Sequence, residues 1–383
     1  MTLIALPTAD GGLAEWTPRG AETPAKPASP PSSRIAYAAA HVVADPLAAA
    51  DPEEGAVLDW ETTLAFREHL WSCGLGVAEA MDTAQRGMGL DWDTTKELIR
   101  RTGALAAGRP WVAGVGTDQL PGGAATPESI VDAWREQLDL VGEAGAIPVV
   151  MASRALAASA SRPEDYHAAY GKLLSGADHP VLLHWLGEQF DPSLAGYWGH
   201  ADVREAAKEL GRLCAGHAGA IAGVKVSVLD ASIETEFRRA LPEGVKCYTG
   251  DDFNYPELIA GDDQGHSEAL LGIFDAIAQV AGAALARLDD GDTAGFRGLL
   301  DPTVALSRAI FRAPTRNYKT GVVFLAYLNG HQDHFRMVAG RESARSITHL
   351  AELLRLADAA GALTDPELAV ARMRPLLAAA GVS

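Results

Sequence analysis

The run "AIAGVKVSVLD", residues 220–230, sets one lysine, Lys225, in the middle of an apolar segment. Lysine is among the residues least often buried without a partner. Two readings of that position follow. An edge or snorkelling lysine keeps its ammonium in water. A desolvated lysine has a depressed pKa, becomes a neutral amine and attacks a carbonyl carbon. The elements around it have to decide between them.

From residue 34 onward strand-like and helix-like segments alternate. "RIAYAAAHVV" (34–43), "GVAEAM" (76–81), "WVAGVG" (111–116), "IPVVMAS" (147–153), "PVLLHWL" (180–186), "IAGVKVSV" (221–228) and "VKCYTGDD" (245–252) read as strands. Helical segments lie between them, opened by cap residues such as Asp59 and Thr126. An eighth unit falls within 256–274, with less clear bounds. This alternation implies parallel βαβ units, and seven or eight of them in about 240 residues point to a (β/α)8 TIM barrel. A doubly wound open sheet competes. It lacks support because "GVGTDQLPGG" fails the spacing of a dinucleotide-binding loop. Residues 1–32, with "AETPAKPASPPSS", read as a flexible N-terminal arm containing a short pairing segment near "MTLIALP". Residues 33–275 form the barrel, and 276–383 a C-terminal helical extension.

In a barrel the carboxyl ends of the strands face the active site. That rule collects His41, Asp82, Thr83, Gly116, Thr117, Ser153, Arg154, His184, Trp185, Gly250, Asp251 and Asp252, with Lys225 inside the sixth strand. An outward Lys225 would meet an apolar helix layer, so the inward orientation is favoured.

Net charge of −18, from 50 acidic and 32 basic residues, repels phosphate backbones and anionic lipid. Nucleic-acid and membrane partners are therefore not expected. Three scattered cysteines, Cys73, Cys214 and Cys247, and the lack of a signal-like N-terminus fit a cytoplasmic protein. "NGHQDHF" brings His331, Asp333 and His334 together, but no ligand pattern accompanies them, and a solvated helix end accounts for them better than a metal.

The order of strands, "AGVGT" in the third, "GVKVSVLD" in the sixth, "TGDD" in the seventh, and "DDGDTAGF" and "TRNYKTGVVFLAYLNG" in the tail resemble the dihydrodipicolinate synthase and N-acetylneuraminate lyase superfamily. The match is to a divergent branch described only as a domain of unknown function. The resemblance covers residues 33–275 and the helical tail. It implies that Lys225, in a frame kept by Gly223, Val224, Ser227 and Asp230, forms a Schiff base with a 2-oxo acid or sugar-derived carbonyl compound. It also implies a homo-oligomer and no cofactor or metal. Val226 and Leu229 depart from the frame, and "DTAQRG" replaces the family's GTTGE loop so that only Thr83 matches. The family's strand-four and strand-five tyrosines fall on Ser153 or Arg154 and on His184.

The expected function is thus a class I lyase, aldolase or dehydratase. Lys225 is the nucleophile and His184 the general acid/base. Thr83, Thr117, Ser153, Arg154, Asp251 and Asp252 hold the substrate; Arg86 is either a carboxylate contact or, more commonly for a loop arginine, solvated, and Tyr197 either a substitute phenol or, more commonly, a packing aromatic. Besides a purely structural partner protein, which gives no reason for a lysine in strand six, two alternatives stay open. One is a metal-dependent sugar isomerase or epimerase built on Glu79, Asp82, Glu188 and His217. The other is a non-catalytic small-molecule-binding barrel.

Overall fold

Helix starts in this chain are written as short polar residues that satisfy the first free amide groups. In the computed structural model, which describes residues 2–49, 51, 54–120 and 125–382, Asp59 accepts from the Thr62 amide, Asp91 from Thr94 and Asp202 from Arg204 and Glu205. Proline at the first helical turn adds to this at Pro127, Pro163 and Pro366. In the barrel these caps follow a strand and its loop, and seven crossovers join the eight strands between residues 36 and 271.

A hairpin of β1 (Ile4–Pro7) and β2 (Leu13–Trp16) precedes the barrel. The barrel strands are β3 (Ala36–Ala39), β4 (Gly76–Glu79), β5 (Trp111–Val115), β6 (Ile147–Val150), β7 (Val181–Leu186), β8 (Ile221–Ser227), β9 (Lys246–Thr249) and β10 (Glu268–Leu271). All eight pair in parallel and close, with β10 beside β3. The intervening helices are α1 (Trp60–Ser72), α2 (Trp92–Ala106), α3 (Pro127–Glu143), α4 (Arg154–Ser159), α5 (Pro163–Leu174), α6 (Val203–Gly216), α7 (Ala231–Ala240) and α8 (Tyr255–Ala260). The expected (β/α)8 barrel is the observed fold. The eighth unit resolves into α8 and β10, and α4 is an additional short helix directly after β6. The Pro121–Gly123 end of "GVGTDQLPGG" lies outside the described residues.

Side-chain alternation divides the core into two layers. Tyr37, Ala39, Ala78, Val112, Val149, Leu182, Tyr248 and Leu270 fill the barrel interior. Their neighbours along each strand, such as Ala38, Val77, Ala113, Val150, Leu183, Val224 and Val226, pack outward against the helices. Gly223 leaves the space that the Tyr248 ring occupies, since a Cβ there would lie 2.7 Å from Tyr248 Cε2.

The extension comprises α9 (Ile273–Ala276), α10 (Ala278–Asp289), α11 (Thr293–Leu300), α12 (Val304–Ile310), α13 (Tyr318–Leu328), α14 (Ile347–Ala359) and α15 (Pro366–Ala379). Every residue of α13 is buried, which places it at the centre of this bundle. Residues 1–32, read as a flexible arm, are instead seated on the extension over the described stretch. Asp358 accepts from the amides of Arg19 (2.7 Å) and Gly20 (3.1 Å), and Asp289 from those of Ser32 and Ser33. Composition describes what a segment can order by itself, whereas these backbone groups find their partners on helices more than 250 residues away. Among the described residues no helix is long and apolar enough to cross a membrane.

Candidate functional site

Register brings Lys225 and His184 side by side. They are Cα partners across β7 and β8, and each lies two residues beyond an inward position, Gly223 and Leu182. Both therefore face into the barrel, above Tyr248. Lys225 is only 8% exposed and makes no hydrogen bond or ion pair with a described residue. Burial lowers its pKa, and the negative charges of Asp82 and Asp252 act against that shift. Gly250, at the end of β9, is required here. A Cβ at that position would overlap Ser227 Oγ and stand 2.8 Å from Lys225 Cε.

His184 Nε2 lies 3.2 Å from Ser227 Oγ, while Nδ1 is buried without a partner. Burial first, then the positive charge of Lys225, pushes its pKa well below the ordinary histidine value. The ring is therefore neutral at pH 7, a hydrogen-bonding group beside Lys225 and not a standing cation.

Asp252 accepts from the Ile273 amide at 2.9 Å, and burial raises its pKa to about 7. Its negative charge and the positive charge of Lys225 each favour the other's ionised form, without a direct hydrogen bond between them. Asp251 does different work. Its carboxylate accepts from the amides of Phe253 and Asn254 and from Asn254 Nδ2, and holds the turn before α8.

Above these residues a small cleft of about 70 Å³ opens at the carboxyl ends of the strands, lined by Asp82, Gly116, Thr117, Arg154, His184 and Asp191 among others. Thr117 Oγ1 is 2.7 Å from Ser153 Oγ, and Ser153 caps α4 by accepting from the Leu156 amide at 3.0 Å. Thr117 thus reaches the cleft, while the Ser153 hydroxyl is spent on the helix start. Arg154 pairs with Asp191 and lies over Gly87, where a Cβ would meet its guanidinium. Arg86 also lines the cleft, but its donors are committed to Asp118, Gln137 and the carbonyls of Ala80 and Gly114. It braces the loop after β4 and is not free for a substrate carboxylate.

The phenol in this mouth comes from an element outside the barrel. Tyr318, the first residue of α13, places its hydroxyl 2.8 Å from Thr83 Oγ1. Burial raises its pKa well above the ordinary value, with Asp82 and Asp252 adding to the rise. Tyr197 lies elsewhere: its hydroxyl accepts from the Ser153 amide and touches Tyr170 OH at 3.0 Å, within an aromatic cluster with Tyr166 and Trp198. Sequence reasoning passed over Tyr318 because nothing local to "TRNYKTG" says which helix meets the loop after β4. The same holds for Lys319, buried beside it.

The residues of a carboxylate/histidine metal site do not assemble. Glu79 points outward from β4 and is bound bidentately by Arg67 (2.8 and 2.7 Å) and by Thr102 (2.7 Å). His217 closes α6 ahead of β8, at the opposite end of the barrel. Among the described residues no group of three or more His, Cys, Asp or Glu is arranged to hold a metal ion. His331 is half-buried and packs against His69, with ring centroids 4.1 Å apart, while Asp333 is exposed.

Solved structures of the same fold include dihydrodipicolinate synthase from Aquifex aeolicus, with a TM-score of 0.61 and 13% identity over 91% of this chain and 98% of that one. The dihydrodipicolinate synthase of Bacteroides thetaiotaomicron aligns with a TM-score of 0.62 and 17% identity, covering 84% and 98%. A prophage protein of the dihydrodipicolinic acid synthase family from E. coli K12, solved in complex with pyruvate, gives 0.63 and 13%, covering 91% and 99%. At these identities the likeness is one of fold. No curated protein sequence matches the chain. The family model described as "Protein of unknown function (DUF993)" matches residues 4–382, and the chain accordingly belongs to the DUF993 family.

Proposed function

We propose that this protein is a Schiff-base-forming lyase or aldolase acting on a small 2-oxo acid or sugar-derived carbonyl compound, with Lys225 as its nucleophile. The observation that carries the reading is the buried, inward Lys225 ammonium, which no described residue pairs and which sits below a polar cleft. Burying a lysine there costs stability, and groups perturbed in this way cluster at functional sites. The prophage protein with this fold binds pyruvate, which supports a 2-oxo acid as the carbonyl compound.

In this reading Asp252, with its pKa near neutrality, takes one proton from Lys225 and leaves a neutral amine. The amine nitrogen adds to the carbonyl carbon and gives up one of its protons to the carbonyl oxygen; a second proton, the one Asp252 took, lets that oxygen depart as water and leaves the iminium. The resulting iminium accepts the electron pair of the breaking carbon–carbon bond, or of the abstracted α-proton when a β-hydroxyl leaves. Protonation of the enamine carbon and hydrolysis then return the free lysine. His184, beside Lys225, and Tyr318, joined to Thr83, are the groups placed to carry these protons. Thr117 and Arg154 orient polar groups of the substrate at the cleft wall.

The test is reduction with borohydride in the presence of pyruvate and a panel of 2-oxo acids and keto sugars, followed by intact-mass measurement and peptide mapping. The expected result is a single added mass on Lys225, absent from Lys225→Ala. An adduct on another lysine, or none across the panel, overturns the proposal.

A further inference from the structure

The cleft holds one carboxylate that has no partner among the described residues. Asp82, the first residue of the short turn after β4, lines the cleft and is half-buried. Its side chain forms no hydrogen bond or ion pair with a described residue. The turn that carries it is braced. The Ala84 amide donates to the Met81 carbonyl and the Gln85 amide to that of Asp82. Arg86 donates to the Ala80 carbonyl at 3.2 Å, Gln85 Nε2 donates to the Val338 carbonyl at 2.9 Å, and Thr83 meets Tyr318. The carboxylate therefore stands on a fixed backbone with its acceptor sites free for a bound molecule.

The other charges of the cleft are spent on one another. Arg86 is paired with Asp118 and Arg154 with Asp191. The lining thus carries three carboxylates and two guanidinium groups, and Asp82 is the surplus. A substrate carboxylate or phosphate meets no unpaired cation on this wall and is repelled by Asp82. A substrate ammonium would add a second cation above the iminium formed at Lys225, whose charge Asp82 offsets. A hydroxyl group meets neither repulsion and donates to the carboxylate in a charge-assisted hydrogen bond. The volume of about 70 Å³ has room for roughly five waters, which limits the bound molecule to a few heavy atoms.

Resting on the Schiff-base reading for Lys225, we infer that the substrate is a small, uncharged hydroxycarbonyl compound, about the size of a triose, held by a hydroxyl group that donates to Asp82. Of the two carbonyl classes open to the proposed activity, the sugar-derived one is preferred. A 2-oxo acid such as pyruvate forms its adduct without this contact.

Borohydride trapping of dihydroxyacetone and of pyruvate on Lys225, followed by intact mass, measures the preference as a ratio of rates. The ratio of dihydroxyacetone to pyruvate should fall at least tenfold in Asp82→Ala and in Asp82→Asn. A role for Asp82 confined to the charge of Lys225 changes both rates alike, so an unchanged ratio in both variants overturns the inference. Glycerol has hydroxyl groups and no carbonyl. Its binding, read by saturation-transfer proton NMR beside lactate as the anionic counterpart, tests the Asp82 contact without the lysine chemistry. Glycerol should bind wild type at least tenfold more tightly than either variant, and lactate should bind wild type no more tightly than the variants. Equal glycerol binding by wild type and both variants overturns the inference. Loss of glycerol binding in the variants, with no compound trapped on Lys225 of wild type, rejects the Schiff-base reading and leaves the hydroxyl site standing.

Discussion

The Tyr318 hydroxyl lies 2.8 Å from the Thr83 hydroxyl, and this contact joins the first residue of α13 to the loop after β4, 235 positions apart in the chain. The extension thereby brings a phenol to the loop after β4. Removing the hydroxyl while keeping the ring tests its part in proton transfer. General acid–base groups contribute about 10²–10⁴-fold. Tyr318→Phe should slow deuterium exchange into the methyl group of pyruvate, followed by proton NMR, by at least about tenfold on that scale. Thr83→Val should do the same, and the double variant should be no slower than the worse single one, because the two hydroxyls act as one unit.

Gly250 is expected to be intolerant of a side chain for a reason that concerns Lys225. The Cβ of Gly250→Ala would push into Ser227 Oγ and Lys225 Cε. Trapping on Lys225 should fall sharply in the fraction of Gly250→Ala that remains soluble. Gly298→Ala, in α11 with open space around it, should be neutral or stabilising by about 0.5–1 kcal/mol, as judged by urea unfolding.

The Arg67–Glu79 pair is fully buried and bidentate, and Arg67 also donates to the carbonyls of His41 and Thr63. Replacing one partner strands the other charge. Arg67→Met or Glu79→Leu should cost about 3–5 kcal/mol in urea unfolding. Because the pair lies outside the barrel, folded variant should still form the Lys225 adduct.

Stability should depend on pH in two opposite ways. His69 and His331 are held down to about 3 and about 4, chiefly by burial. On acidification below 6.5 the unfolded chain takes up protons that the native chain refuses. Stability then falls until the folded values are reached, by up to about 1.4 kcal/mol per pH unit for each group. Glu234 is raised to about 8 by burial, so its contribution is full below 4.5 and is lost as pH rises toward 8. Urea unfolding from pH 4 to 8 should show a flatter acid limb in His69→Asn/His331→Gln and a flatter limb above pH 5 in Glu234→Gln.

The sequence by itself determined the barrel, its order of strands and helices, and the inward lysine. Those features are local: apolar alternation, cap residues and strand spacing are each written within a few positions, and Asp59, Thr126 and Asp202 stand where their helices begin. Parity along β8 alone was enough to favour an inward Lys225. Only the tertiary structure decided which polar residues are free to act. Asp251, Ser153 and Arg86 sit at strand ends as the sequence indicates, yet each is consumed by a cap or a brace. Tyr318 and Lys319 sit in a helix whose pattern records only burial, and meet Thr83 and Met88 of the loop after β4 because the extension packs against it. Hydrogen-bond commitments and long-range docking are properties of the packed chain, and no short stretch of residues encodes them.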